Sequence, residues 1–406
     1  MTPVPQAEGR WRMLAVLCLG VAGVLATWFS ATAILPELVT LWDLDAARTS
    51  WLTNAVQLGF VVGAIGASLV NLPDIVPMPR LMAVSAGLAA MANAALLVVG
   101  PDGAILARFV TGVALAGVYP PAMKLMATWF VRGRGLALGL LIGALTLGSS
   151  MPHLVRALAE GIDWRLVVWV TSGTALAAAL VFATVVREGP SPFARATFDP
   201  RQSLSVFTNR PLFLANLGYF GHMWELYALW AWILAFAAAA EVGMQPFPFG
   251  SASMLSFVVV ASGAVGCLLG GWLSDRIGRC LTCAGMMLVS GGCAAMIGFF
   301  FDGPPLVLAL IALLWGITVI GDSAQFSAAV TELAEGAFVG TALALQMGLG
   351  FGLTVLAIWA LPHFAEWIGG WRWAFLFLVP GPLIGAGAML ALRRLPEATR
   401  LAQGAR

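Results

Sequence analysis

His222 and Glu225 stand three residues apart inside an apolar stretch running from 211 to 239. On a helix this spacing puts an imidazole and a carboxylate on one face, where they can pass a proton or contact a polar solute. Glu225 lies about 20 Å along the stretch at 1.5 Å per residue, with Tyr219 and Trp224 close in sequence. Asp322 and Gln325 repeat the spacing within 305–328, beside Ser323. Arg108 and Lys124 sit about 6 Å and about 30 Å along 104–128 by the same rise. Lys124 is placed to snorkel towards headgroups. An ionisable group at the centre of a membrane helix costs at least about 2.5–3.5 kcal/mol on insertion scales, so each needs a use or a partner.

Other chemistries find no support. The chain has no G-x-x-x-x-G-K-[ST] loop to cradle ATP phosphates and no HExxH metal site. Cys280 and Cys283 have CxxC spacing, but no second pair or nearby His accompanies them. With Cys18, Cys267 and Cys293 they read as small residues in apolar runs rather than metal or redox groups.

The elements that must position these side chains are twelve long apolar stretches. They run approximately over 13–36, 51–70, 81–99, 104–128, 135–156, 166–186, 211–239, 251–272, 281–300, 305–328, 337–361 and 373–392. About 20 apolar residues in a helix span a ~30 Å hydrocarbon core. A 406-residue chain that is 60% hydrophobic and 10% charged has too little polar surface for the soluble alternative. A lipid-exposed backbone must satisfy its own hydrogen bonds, which selects helices; a barrel would show ~10-residue alternating segments. The first run is too long for a cleaved leader. No intervening segment reaches the ~50 residues of a separate domain, which argues against an attached enzyme. The expectation is an all-α polytopic membrane protein.

Basic residues orient it. With the N-terminus inside, 16 of the 21 Lys and Arg fall on the cytoplasmic side, from Arg10 and Arg12 to Arg400 and Arg406. The outside holds Arg48, Arg108, Arg156, Arg165 and Arg372. By the positive-inside rule both termini are cytoplasmic. The longest linker, 188–210, carries Pro190, Pro192 and Pro200 with Arg195 and Arg201, and divides the chain into 1–187 and 211–406, six stretches each. The halves repeat: Pro152-His153 ends stretch five and Trp164-Arg165 opens six, as Pro362-His363 and Trp371-Arg372 do for eleven and twelve. Such a repeat implies two bundles with a site at their interface. The symmetric placement of His153 and His363 points to a structural role. Gly59/Gly63, Gly139/Gly143, Gly266/Gly270 and Gly381/Gly385 have the spacing that lets helices approach closely.

Between stretches eight and nine, Gly271-Trp272-Leu273-Ser274-Asp275-Arg276-Ile277-Gly278-Arg279 matches the G-x-x-x-D-R-x-G-R loop of the major facilitator superfamily of secondary transporters, which the whole chain resembles. The copy expected in the first half is degenerate, with Ala67 to Asn71 in place of its Gly and Asp. Arg108 to Gly112 is similar to the family's R-x-x-x-G in span four. Runs at 117–124 (GVYPPAMK), 219–227 (YFGHMWELY) and 321–327 (GDSAQFS) resemble the branch labelled nitrate/nitrite or cyanate permease-like. Nitrate porters carry arginines in spans two and eight, and 51–70 and 251–272 have none, so nitrate itself is not implied.

The resemblance implies twelve transmembrane helices in two six-helix bundles working by alternating access, without a cofactor. It implies a substrate and proton pathway of Thr27, Trp28, Ser30, Arg108, Tyr119, His222, Glu225, Asp322 and Gln325, since spans one, four, seven and ten line the cavity in this family. It implies a gating loop in which Asp275 sits near a helix N-terminus and Arg276 and Arg279 hold it or face anionic lipid. The expected partners are a small solute, which includes organic and inorganic anions, protons and membrane lipids, and no nucleic acid. The expected form is a monomer in the cytoplasmic membrane. An exporter of a toxic compound and a transporter-like sensor are the alternatives; a sensor would usually carry an added cytoplasmic domain.

The orientation has a direct test. A single cysteine at Ser203, in a background without the native cysteines, is expected to resist impermeant thiol reagents added to intact cells; ready labelling from outside would invert the topology.

Overall fold

The computed structural model describes residues 8–70, 72–130, 134–159, 162–191, 205–241, 250–334 and 339–404. Among the described residues every regular element is helical. Most of the expected linker, with Pro192, Arg195, Pro200 and Arg201, lies outside them, as do Asn71 and Arg132.

The helices are α1 Arg10–Leu25, α2 Ser30–Ala33, α3 Leu35–Trp42, α4 Ala46–Leu69, α5 Leu72–Ile75, α6 Met78–Ala94, α7 Pro101–Ala116, α8 Tyr119–Trp129, α9 Arg134–Leu158 and α10 Arg165–Thr184. There follow α11 Ser205–Thr208, α12 Arg210–Glu241, α13 Ala252–Ile277, α14 Arg279–Met296, α15 Pro305–Gly321, α16 Ser323–Leu333, α17 Val339–Trp367 and α18 Pro380–Arg393. Among the described residues eleven helical spans are long and apolar enough to cross a membrane. They match expected stretches two to twelve, most ends differing by a few residues.

The first stretch is the exception. A single helix was expected over 13–36; α1 ends at Leu25, Ala26 to Phe29 form turns, and the chain continues as α2 and α3. Span four is also interrupted, at Gly117 and Val118 between α7 and α8. There Pro120 and Pro121 lack the N–H groups that would bond the preceding turn. Span ten breaks at Asp322, between α15 and α16.

Pro152 and Pro362 do not end their helices. Each lies inside, and α9 and α17 run on to Leu158 and Trp367. A membrane helix tolerates an internal proline where neighbours and local adjustments re-satisfy the freed backbone groups. The opening of span twelve is a 3₁₀ turn, Ala374–Leu378, ahead of α18.

The chain forms two compact units, one of Met1–Leu44 with Ala55–Arg195 and one of Asp45–Asn54 with Ala196–Arg406. Each contains a glycine crossing between its second and fourth spans. In the first unit a Cβ on Gly59 would strike the Phe109 carbonyl, one on Gly63 the Val113 carbonyl at 2.8 Å, and one on Gly112 the Val56 carbonyl. In the second, Gly266 and Gly270 stand against the carbonyls of Ile317 and Gly321, and Gly316 against that of Val259. Gly266 and Gly270 follow Gly59 and Gly63 by 207 residues, the offset between Trp164 and Trp371. The repeat in sequence is thus a repeat of contacts: α4 crosses α7 as α13 crosses α15. With little hydrophobic drive between helices in lipid, such backbone approach supplies packing energy directly.

Neighbouring glycines separate this effect from helix propensity. A Cβ on Gly270 meets backbone, whereas one on Gly271 meets nothing within 4 Å. Gly270→Ala is expected to lower stability by about 1–3 kcal/mol. Gly271→Ala should be neutral or stabilising by up to about 1 kcal/mol. Thermal unfolding in detergent reads both, and equal midpoints would show that the α13–α15 crossing opens without cost.

Candidate functional site

In the first unit Arg108 bonds backbone carbonyls at the break in span one, where Thr27 O also accepts from Ser30 Oγ at 3.1 Å. This guanidinium on α7 is wholly buried. Its Nη1 donates to Thr27 O at 2.7 Å, Ser30 Oγ at 3.2 Å and Asn93 Oδ1 at 3.3 Å, while Nη2 donates to Trp28 O. Asn93 on α6 extends the network: it accepts from Ser30 and donates from Nδ2 to Thr171 Oγ1 at 3.0 Å and Ser172 Oγ at 2.9 Å on α10. Among the described residues no carboxylate pairs with Arg108. Thr27 and Trp28 therefore contribute their backbone here, and the Thr27 hydroxyl turns back to Val24 O at 2.8 Å. Tyr119 opens α8, partly exposed.

In the second unit two buried acids lie near one another in the fold. Glu225 on α12 accepts at both oxygens, from Ser290 Oγ on α14 at 2.8 Å and from Trp315 Nε1 on α15 at 2.7 Å. One turn before it, His222 Nδ1 stands 2.9 Å from Asp322 Oδ1, both side chains being 1% exposed. That contact is an ion-pair distance rather than an aligned hydrogen bond, since Asp322 Oδ1 receives no well-directed donor. His222 and Glu225 share a face as expected, and they engage separate partners.

Gln325 belongs to a third group, with the conserved-pattern loop between α13 and α14. Gly278 has φ 84° and ψ 165°, a left-handed conformation that glycine adopts without a Cβ penalty. This one residue turns α13 into α14 and makes Arg279 the first residue of the new helix. Arg279 grips Glu332 on α16 through Nε at 2.7 Å and Nη2 at 2.5 Å, and donates from Nη1 to Gln325 Oε1 at 2.7 Å and Ser274 Oγ at 3.3 Å. Glu332 also accepts the backbone N–H of Ala402, just beyond α18, at 3.0 Å. Asp275 lies exposed in the last turn of α13. Arg279 bonds Glu332, and Arg276 lies over the Trp272 ring at 4.2 Å. The bidentate geometry favours a carboxylate held on a neighbouring helix.

The Major Facilitator Superfamily pattern matches residues 17–354. The chain belongs to this family. Among curated relatives, the probable sulfoacetate transporter SauU of Cupriavidus necator is 24% identical over 316 residues, 71% of each chain. The MFS-type transporter dbaD of Emericella nidulans is 23% identical over 287 residues, 65% of this chain and 59% of its own. Among solved structures, an inward-facing, unoccupied bacterial homologue of the human lysosomal transporter Spinster aligns over 96% of this chain and 98% of its own, with a TM-score of 0.72 and 15% identity. The nucleoside transporter NupG aligns over 94% and 99%, with a TM-score of 0.71 and 16% identity. These likenesses give the facilitator its twelve-helix fold.

Several partners were not singled out in the sequence: Asn93, Ser290, Trp315 and Glu332. Asn93 and Glu332 carried the signal that drew attention to Glu225, a polar group in an apolar helix. Ser290 and Trp315 carried none, being ordinary in membrane helices. The histidines of the repeat also part company. His153 is fully buried with neither ring nitrogen partnered among the described residues, whereas His363 meets Trp359 O at 2.8 Å and its ring lies 4.7 Å from that of Trp359.

If Arg108 holds the break in span one, Arg108→Met removes the guanidinium donor from the Trp28 carbonyl and leaves the Thr27 carbonyl with the Ser30 hydroxyl at 3.1 Å. Each unsatisfied buried group costs about 1–3 kcal/mol, so the facilitator's unfolding temperature is expected to fall, with partial recovery in Arg108→Lys. An unchanged midpoint in the Met variant would show that the Trp28 carbonyl is otherwise satisfied.

Proposed function

We propose that this facilitator is a secondary active transporter that carries a small organic or inorganic anion together with protons across the cytoplasmic membrane. In this reading the bundles 1–187 and 211–406, joined by the 188–210 linker, expose the pathway alternately to the two sides, and both termini are cytoplasmic. The anion is favoured by two likenesses, the nitrate/nitrite or cyanate permease-like runs and the relative named for sulfoacetate.

The observation that carries proton coupling is the set of partners around Glu225. Trp315 Nε1 can only donate, whereas a serine hydroxyl donates or accepts. With Glu225 ionised, Ser290 donates to Oε2. With a proton on Oε2, Ser290 can accept it and turn its own hydrogen to Met287 O, 3.2 Å away. Trp315 keeps Oε1 satisfied in both states. Glu225 can therefore gain and lose a proton without leaving a buried polar group unpaired, as a coupling carboxylate must. His222, one turn before Glu225, stands 2.9 Å from Asp322. Arg108 serves as a positioning residue for the first span, and the Asp275, Arg276 and Arg279 loop as the gate.

The test is reconstitution into proteoliposomes with an imposed pH gradient and sulfoacetate as first solute, followed by other small sulfonates and carboxylates. Glu225→Gln keeps the shape and mimics the protonated acid. It is expected to abolish gradient-driven accumulation while counterflow exchange persists. Accumulation equal to the parent's would make Glu225 interhelical glue and move coupling to Asp322 or Arg108.

A further inference from the structure

Among the described residues, His222 Nε2 and Gln346 Nε2 in the second unit are buried without a hydrogen-bond partner. His222 is 2% exposed, and with Nδ1 facing Asp322 its Nε2 is left without a hydrogen bond. Gln346 on α17 is 0% exposed; its Oε1 accepts from Ser327 Oγ at 3.3 Å, and its Nε2 is likewise unpartnered. Buried polar groups are nearly always satisfied, and an exception calls for an explanation.

The two lie around one aromatic group. The His222 ring is 5.4 Å from that of Phe326 and 6.1 Å from that of Tyr219, and Tyr219 and Phe326 are 6.0 Å apart. Ser327, which holds Gln346, adjoins Phe326 in sequence. On α17 the Tyr219 ring packs against Gly350, one turn after Gln346, where an added Cβ would collide with it. Thus α12, α16 and α17 bring His222 and Gln346 to the same aromatic cluster by two independent routes.

We propose that His222 Nε2 and Gln346 Nε2 are donors to the oxyanion group of the solute, a carboxylate or a sulfonate, with Tyr219 and Phe326 bordering its apolar part. The inference rests on the anion reading above and assigns that anion its residues. The chemistry is consistent on charge. Asp322 would repel an anion if alone; it stands 2.9 Å from His222 Nδ1, and a ring protonated at both nitrogens would offset that charge while presenting an N–H at Nε2. A primary amide adds a donor without charge, so the group is recognised without being trapped as a fixed ion pair.

The test is equilibrium binding to the purified full chain in detergent, with no gradient, so that it reads binding and not coupling. Ligand binding to the folded state raises the unfolding temperature. The probes are acetate, methanesulfonate and sulfoacetate, with acetamide and dimethyl sulfone as uncharged counterparts. The parent is expected to be stabilised by the oxyanions and not by the uncharged compounds. Gln346→Glu keeps an acceptor for Ser327 and replaces the free amide with a carboxylate oxygen. His222→Gln removes the ring. Each is expected to weaken oxyanion binding at least tenfold. Unliganded unfolding temperatures verify folding, and either variant alone decides the matter if the other does not fold. Oxyanion shifts equal to the parent's in a folded variant, or no shift in the parent at millimolar concentrations, would overturn the assignment. Loss of binding in these variants together with normal pH-driven accumulation in Glu225→Gln would leave the site standing and remove the coupling role of Glu225.

Discussion

Inside hydrocarbon no water completes a hydrogen bond, so every break in a helix and every buried polar side chain must be answered by another part of the chain. The arrangement of this facilitator follows from that constraint. Span one stops being a regular helix after Leu25, which frees the carbonyls of Thr27 and Trp28, and a guanidinium from span four occupies them. The cation at Arg108 is in turn surrounded by neutral oxygens, with Asn93 linking it to Thr171 and Ser172. One network thereby ties spans one, three, four and six of the first unit.

The second unit meets the same problem with an acid. A carboxylate on span seven, Glu225, is held by a hydroxyl from span nine and an indole from span ten. Arg108 donates to two backbone carbonyls, a hydroxyl and an amide oxygen, whereas Glu225 only accepts, from a hydroxyl that can reverse its role and an indole that cannot.

Close helix approach makes such networks reachable. Gly59, Gly63 and Gly112 bring α4 and α7 into backbone contact, and Gly266, Gly270 and Gly316 do so for α13 and α15. A side chain at any of these positions would push apart the helices that present the polar residues. The single glycine at 278 has a related part in the loop, turning two long helices so that Arg279 reaches Glu332 and Gln325 on α16.

The sequence by itself determined the architecture. The apolar stretches and the glycine repeat are properties of local composition and spacing, and lipid permits only one response to such stretches, the helix. It also pointed to Glu225, His222, Asp322 and Arg108, because an ionisable residue in an apolar run is conspicuous. Tertiary structure alone decided what each one meets. The break at Thr27 and Trp28 has no proline or charge to announce it and exists because Arg108 compensates it. The prolines at 152 and 362 looked like helix ends and lie within helices, since neighbouring packing overrides their local preference. Arg279 was expected to hold Asp275 four residues away or to face anionic lipid, and its bond to Glu332, 53 residues on, is visible only in the fold. Ser290, Trp315 and Gln346 are unremarkable in sequence and acquire significance only from what they face. Which polar groups meet depends on helix rotation and crossing, and those are set by packing over the whole unit rather than by any window of sequence.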